Sequence, residues 1–255
     1  MNDSNVPIAD GNANNVQAAL LVGGLGTRLR SVLPSVPKPL ASVGGKPFLE
    51  LLVLQLRNQN IRTLIMCTGH LGEQIENEFG NGSALGVTIA YSQEPQPLGT
   101  AGALSLASSR LINSRDFILM NGDSFLEVDF DRLLGFHRQH GGIATLAIRR
   151  VESAARFGTV EMGPNSRVSA FLEKTGRDAP GLINGGVYVF SRSIFDWIQP
   201  GPSSLEKDVL PRILDQGVYA LEQKGMFIDI GTPADYARAQ KLYQELTAKM
   251  TAFNR

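Results

Sequence analysis

The stretch Val16-Gln-Ala-Ala-Leu-Leu-Val22, followed at once by Gly23-Gly24-Leu25-Gly26-Thr27-Arg28-Leu29, sets the architecture. A short apolar run stopped by glycines reads as a buried strand feeding a loop. Further along, Pro47 to Gln59 has helical spacing, with Phe48, Leu51, Leu52, Leu54 and Leu56 on one face. Arg62–Thr68, Val87–Gln93 and Phe117–Met120 read as further strands. Gly72–Phe79, Gly99–Leu111 and Asp129–His140 read as helices between and after them. Alternation at this spacing predicts βαβ units: an α/β, Rossmann-like three-layer sandwich with a mostly parallel central sheet. Right-handed crossovers then bring the loops after the strands to one edge, where open α/β sheets bind ligands. The second half is less regular. Ile143–Arg150, Gly158–Met162, Val168–Glu173 and Leu182–Phe190 read as strands with few helices between them, which predicts a mixed C-terminal extension. Leu205–Leu214 and Pro233–Leu246 read as helices.

The chain has 255 residues, 43% of them hydrophobic and 19% charged, enough to bury a sizeable core. Residues 1–15 are polar and Asn-rich and read as a flexible tail, with 16–255 as a single domain. Lys and Arg number 24 against 24 Asp and Glu, so no global basic field exists to hold nucleic acid. One cysteine, Cys67, excludes an intrachain disulfide and a cysteine-built zinc site. His137 and His140 read as helix-surface residues and His70 as a loop residue. No apolar run is long enough for a membrane span, and the first residues lack the pattern of a secretory signal. The expectation is a cytoplasmic protein.

Two loops carry cations suited to phosphate. Gly23, Gly24 and Gly26 let backbone N–H groups approach an anion, Thr27 follows, and Arg28 adds a planar fork. Ten residues on, prolines on both sides fix the backbone around Lys38. The bland readings are a turn with a surface arginine and a Pro-rich loop with an incidental lysine. No Walker loop is present, and Leu29 stands where a dinucleotide fingerprint needs its third glycine.

GGLGTRL followed by PKPL resembles the sugar-phosphate nucleotidyltransferase family. Later segments match in order: Glu94-Pro95-Gln96-Pro97-Leu98-Gly99-Thr100-Ala101, Asn121-Gly122-Asp123, Glu173-Lys174, Asn184-Gly185-Gly186 and Asp229-Ile230-Gly231-Thr232-Pro233. The resemblance spans roughly residues 16–246. Within the family, the short length, the EPQPLGTAGAL stretch and LINGGVYVF are most similar to the D-glycero-D-manno-heptose 1-phosphate guanylyltransferases. The resemblance implies the nucleotide-diphospho-sugar transferase fold. It also implies attack of a sugar 1-phosphate oxygen on the α-phosphorus of an NTP, which needs no enzyme nucleophile, only positioning and charge stabilisation.

By resemblance, Arg28, Lys38 and Asp123 are the catalytic residues, and Asp123 with Asp229 hold Mg²⁺. Leu21, Gly23, Gly24, Gly26, Thr27, Glu94, Gly99 and Thr100 bind the nucleotide. Gly122, Glu173, Lys174, Asn184 and Gly185 bind the sugar phosphate. A carboxylate at Glu94 can accept from both guanine N1–H and N2–H₂, which favours GTP; the alternative is a rim carboxylate facing water. Asp123 and Asp229 can also be turn or helix-start caps, and Glu173-Lys174 an ordinary surface pair. Partners are expected to be small-molecule substrates, with a homo-oligomer left open. Hexose-1-phosphate uridylyl- or thymidylyltransferase, mannose-1-phosphate guanylyltransferase and a non-catalytic nucleotide-sugar-binding regulator are the competing readings.

Overall fold

Alternation along the first strand sorts its side chains onto two faces. Ala18 and Leu20 enter one apolar cluster and Ala19 another, as a period of two requires. The computed structural model describes residues 16–29, 32–172, 176 and 178–252, with 244–252 described by backbone alone. In chain order the elements are β1 (Gln17–Leu21), the two-residue strands β2 (Ser42–Val43) and β3 (Lys46–Pro47), α1 (Phe48–Asn58), β4 (Thr63–Thr68), α2 (Gly72–Phe79), β5 (Thr88–Gln93), α3 (Gly99–Leu106), β6 (Asp116–Asn121), β7 (Ser124–Leu126), α4 (Phe130–His140), β8 (Ala144–Val151), β9 (Thr159–Met162), β10 (Val168–Leu172), β11 (Gly181–Ser191), β12 (Val218–Glu222), β13 (Phe227–Asp229) and α5 (Pro233–Ala252).

The parallel half of the sheet runs β6-β1-β4-β5. From β1 the chain moves outward through β4 and β5, then returns to β6 on the other side of β1. That reversal makes the ends of β1 and β6 the topological switch point. Beyond β6, β11 runs antiparallel to both β6 and β8, β12 joins β8 in parallel, and β9 with β10 flanks the first part of β11. The expected mixed extension is therefore present in the same nine-stranded sheet. Helices α1, α2, α4 and α5 contribute to the cluster on one face, and α3 with residues 194–213 to the other. These are the three layers.

Several boundaries differ from the sequence reading for identifiable reasons. Residues 205–214 form a π turn, Leu205–Val209, and a 3₁₀ turn, Leu210–Arg212; Pro211 has no N–H to continue a helical ladder. The α3 helix stops at Leu106 and gives way to a 3₁₀ turn at Ser108–Arg110. His137 is not on the surface: it is 2% exposed, with Nδ1 3.0 Å from Thr145 Oγ1 and Nε2 3.1 Å from Ser191 Oγ. The short strands β7 and β13 pair with each other and with no other strand, setting Asp229 opposite Ser124. Among the described residues no helix is long and apolar enough to cross a membrane.

Candidate functional site

β1 and β6 end side by side, with Leu21 opposite Asn121 and, on the other flank, Cys67 of β4. A cleft of about 490 Å³ opens there. One wall is the glycine loop after β1, with Leu21, Gly23, Gly24 and Arg28; another is the β5–α3 loop, with Glu94, Gly99 and Thr100. Asn121, Asp123, Ser124 and Asp229 lie below, and Arg156, Phe157, Gly158, Asn184, Gly186, Glu206 and Lys207 complete the far side. A second hollow of about 150 Å³ adjoins it, lined by Gly26, Thr27, Lys38 and Pro39, and shares Arg28 and Asp123 with the main cleft.

The two cationic loops meet because of a glycine. Gly26 has φ +58°, and a Cβ there would lie 3.2 Å from the Cβ of Lys38. Arg28 follows in an exposed 3₁₀ turn, Thr27–Leu29. Lys38 heads another, Lys38–Leu40, and its Nζ donates to Asp123 Oδ2 at 2.6 Å. Asp123 is joined to the second carboxylate through backbone, since Ile230 N–H donates to the Asp123 carbonyl at 3.1 Å. Burial first, and then the charge of Asp123, push the Asp229 carboxyl above its ordinary range; Lys38 and the Gly231 N–H, 2.8 Å from Oδ1, oppose that shift. Two acidic groups thus face one lysine in a partly buried corner.

On the β5–α3 wall, Glu94 is half-buried. Its Oε2 accepts from Leu98 N–H at 2.6 Å, so one oxygen already pins the loop. Burial raises its carboxyl pKa, and the Leu98 bond counters that. A Cβ on Gly23 would lie 2.6 Å from Glu94 Oε1, so the glycine loop and this carboxylate are packed against each other. Gly99 has φ +70°, and Thr100 follows at the start of α3.

On the far side, Asn184 lines the cleft at a bulge in β11, where the register shifts between Asn184 and Val187. Gly185 does not face the cleft: a Cβ there would strike Leu126 at 2.4 Å and the Ala147 carbonyl at 2.9 Å. Gly186 lines it instead. Gly122 is likewise a packing glycine, its missing Cβ replaced by Val22 and the Leu21 carbonyl. Glu173 and Lys174 lie outside the described residues. Arg156, Glu206, Lys207 and Ser124 line the cleft without having been singled out from sequence. Arg156 Nη1 donates to Asp235 Oδ2 at 2.6 Å, tying the 152–158 loop to the first turn of α5. No spacing in the sequence announces that pairing across 79 positions.

The donor set suits a hard cation. Mg²⁺ is held by one or two carboxylates plus waters and substrate phosphates, not by an all-protein cage. Asp123 and Asp229 provide those carboxylates, and among the described residues no larger cluster of His, Cys, Asp and Glu offers a metal site. Asn121 Oδ1 and Ser124 Oγ are buried with no partner among the described residues, leaving polar capacity that a ligand or water would satisfy.

Comparison with known proteins places the chain in a family and a fold. A family model described as nucleotidyl transferase matches residues 17–245. The probable mannose-1-phosphate guanylyltransferase 1 of Oryza sativa subsp. japonica is 37% identical over 239 residues, covering 92% of this chain and 66% of the relative. The chain spans about two thirds of the length of the curated relatives it matches. HddC from Yersinia pseudotuberculosis, crystallised with GMP-PN, superposes with a TM-score of 0.80 at 30% identity, covering 89% of this chain and 99% of that one. A putative glucose-1-phosphate thymidylyltransferase from Bacillus anthracis, solved in complex with a sucrose, has a TM-score of 0.81 at 23% identity, covers 90% of this chain and 96% of its own, and bears on the fold alone.

Proposed function

This chain belongs to the nucleotidyl transferase family, and on that basis we propose that it transfers GMP from GTP to a sugar 1-phosphate of manno configuration, releasing pyrophosphate. The observation that carries the reading is the convergence, at one switch point, of Arg28, Lys38, Asp123 and Asp229 on connected hollows. Such a site has cations for polyphosphate and carboxylates for a hard metal, and the proposed reaction needs no enzyme nucleophile.

In the reaction a sugar phosphate oxygen forms a bond to the α-phosphorus as the bond to the bridging oxygen of the leaving pyrophosphate breaks. Arg28 and Lys38 stabilise the charge that builds on the leaving group. The glycine loop supplies backbone N–H groups to the phosphates. Asp123 and Asp229 would hold Mg²⁺, which supplies neutralisation of phosphate charge. Lys38 is paired with Asp123 in this structure, so it is already aimed at that corner. Glu94 and Thr100 face the base and ribose, and Asn184 the sugar, with Glu173 and Lys174 expected alongside.

Guanine is favoured by the names of two relatives, a mannose-1-phosphate guanylyltransferase and a structure holding GMP-PN. Mannose 1-phosphate is the first sugar reading, from the 37% identical rice relative. D-glycero-α-D-manno-heptose 1-phosphate is the second, favoured by the resemblance of the EPQPLGTAGAL and LINGGVYVF stretches to the heptose enzymes. Pyrophosphate release, measured for GTP, UTP, dTTP and ATP against mannose, heptose and glucose 1-phosphates, tests both. GTP with a manno-configured sugar should be fastest; no release with any pair refutes the transferase reading.

A further inference from the structure

Glu206 lies in the π turn Leu205–Val209, on the cleft wall, outside every motif that carries the family resemblance. Its two oxygens are occupied by the protein's own hydroxyls. Oε2 accepts from Thr100 Oγ1 at 2.7 Å and from Ser204 Oγ at 2.9 Å; Oε1 accepts from the Tyr188 hydroxyl at 3.4 Å. Tyr188 is fully buried in β11, and its hydroxyl accepts from Asn184 Nδ2 at 2.5 Å. The other end of that amide is fixed too, since Gly186 N–H donates to Asn184 Oδ1 at 3.1 Å. A continuous chain of hydrogen bonds therefore joins Thr100, on the nucleotide side, to Asn184, on the sugar side.

The backbone around Glu206 is fastened to the same helix start. Ser203 carbonyl accepts from Ala101 N–H at 3.0 Å and Gly102 N–H at 3.4 Å, and Ser203 N–H donates to the Leu98 carbonyl at 2.8 Å. Leu205 N–H donates to Thr100 Oγ1 at 2.8 Å. The turn is thus already held by backbone bonds, and the carboxylate adds something else. An ionised carboxylate only accepts, so it dictates the direction of every hydroxyl pointing at it. With Tyr188 compelled to donate to Glu206, its lone pairs face Asn184, which compels the amide to present Nδ2 there and keep Oδ1 on Gly186.

We propose that Glu206 is a positioning residue that fixes the Asn184 amide through Tyr188, and so sets the discrimination between sugar 1-phosphates differing at one hydroxyl. The inference rests on the nucleotidyltransferase reading. Glu206→Gln separates orientation from mere bulk. The amide oxygen remains toward the two donors Thr100 and Ser204, leaving the NH₂ toward Tyr188. The Tyr188 hydroxyl then faces a donor on each side and has no acceptor at position 206, and the Asn184 amide is left with the Gly186 N–H as the one of these two contacts that still enforces its direction. Tyr188→Phe removes the same link from its middle while leaving Thr100 untouched.

The test uses pyrophosphate release from GTP with mannose and glucose 1-phosphates, which differ only in the configuration at C2. The ratio of their kcat/KM values should fall about tenfold in E206Q and in Y188F, the scale expected when a site built to hydrogen-bond one hydroxyl loses its orientation. The double variant should fall no further than either single one, because both cut one chain. The KM for GTP should stay within about twofold, as Thr100 keeps its acceptor. A role confined to holding the turn would instead lower both sugars' kcat/KM alike and leave the ratio unchanged, which overturns the inference; so does an additive double variant, or a wild type that does not separate the two sugars. If E206Q fails to fold, Y188F alone carries the same expectation. A wild type that releases no pyrophosphate with any sugar 1-phosphate overturns the transferase reading itself, and this inference with it.

Discussion

Replacing Gly99 by alanine tests how the nucleotide side of the cleft is built. Gly99 has φ +70°, and a Cβ there would lie 2.5 Å from the Ser203 carbonyl oxygen, which is backbone and cannot swing away. The left-handed conformation alone costs an L-residue about 1–2 kcal/mol. Displacing the Ser203 carbonyl weakens the bonds it accepts from Ala101 and Gly102, at a net cost of roughly 1 kcal/mol each. The sum is about 3–4 kcal/mol, and at this chain length it should lower Tm by roughly 6–16 °C. Two other glycines separate the contributions. Gly45 has φ +85° with nothing near its missing Cβ, so Gly45→Ala should cost only the strain, about 1–2 kcal/mol. Gly24 has neither a left-handed φ nor a neighbour within 4 Å, so Gly24→Ala should be stable to within about 0.5 kcal/mol. Urea denaturation ranks the three, and GTP titration should show weaker binding for Gly99→Ala. Equal stabilities for the Gly45 and Gly99 variants would refute the close contact with Ser203, and with it the account of how the 203–206 turn supports the base loop.

Asp123→Asn should leave the fold intact and abolish most Mg²⁺-supported pyrophosphate release; near-wild-type turnover excludes Asp123 as a metal ligand. Asp229 has a raised carboxyl pKa, so its stability contribution is greatest below the unfolded carboxylate range and is lost as pH rises through the folded value. Asp229→Asn should therefore be more stable than wild type at pH 7 without metal, with the difference shrinking on acidification, while turnover is lost; a variant less stable at pH 7 contradicts the electrostatic account. Arg28→Lys should lower kcat, because a point charge replaces a planar fork; a change confined to KM for the sugar phosphate would place Arg28 elsewhere. ITP lacks the exocyclic amine of GTP and should lose roughly tenfold in kcat/KM if Glu94 reads it. Equal use of ITP would mean that Glu94 serves only the Leu98 N–H it already accepts.

Much of this architecture was legible because local signals agreed with the global fold. The glycine-stopped run at 16–26, the strands ending at Thr68, Gln93 and Asn121, and the alternation with α1, α2 and α3 specify a parallel sheet and place Arg28, Glu94 and Asp123 at one edge. What escaped was non-local. Strands β7 and β13 have three residues each and pair only with each other, so neither carries a periodic signal, yet their pairing brings Asp229 to Asp123. Glu206 meets Thr100 across 106 positions and Arg156 meets Asp235 across 79; such contacts leave no trace in spacing. Gly122 and Gly185 sit in the right motifs, but their missing side chains make room for packing, a role that a glycine in sequence does not distinguish from close approach to a ligand.

The two ends of β6 show which polar groups belong to the fold and which are directed at a ligand. Asp116, at its start, is buried, and burial alone would raise its carboxyl pKa. His137, whose Nε2 lies 3.7 Å from Oδ1, and Arg138, whose Nε donates to Oδ2 at 3.3 Å, hold it below the ordinary range instead. That carboxylate has its partners and serves to fasten α4 to the sheet. At the other end, Asn121 Oδ1 and Ser124 Oγ are buried without partners among the described residues, and Asp123 shares one lysine with an Asp229 whose carboxyl burial and like charge push upward. Unpaired polar atoms and crowded charges destabilise a fold, and they persist where the structure departs from local consistency for function. At the switch point of the sheet they lie beside an arginine exposed on a glycine loop, in the corner where a polyphosphate and its cation would supply the missing partners; Gln55 Oε1, Ser92 Oγ and Ser203 Oγ are the other buried side-chain oxygens without a partner among the described residues.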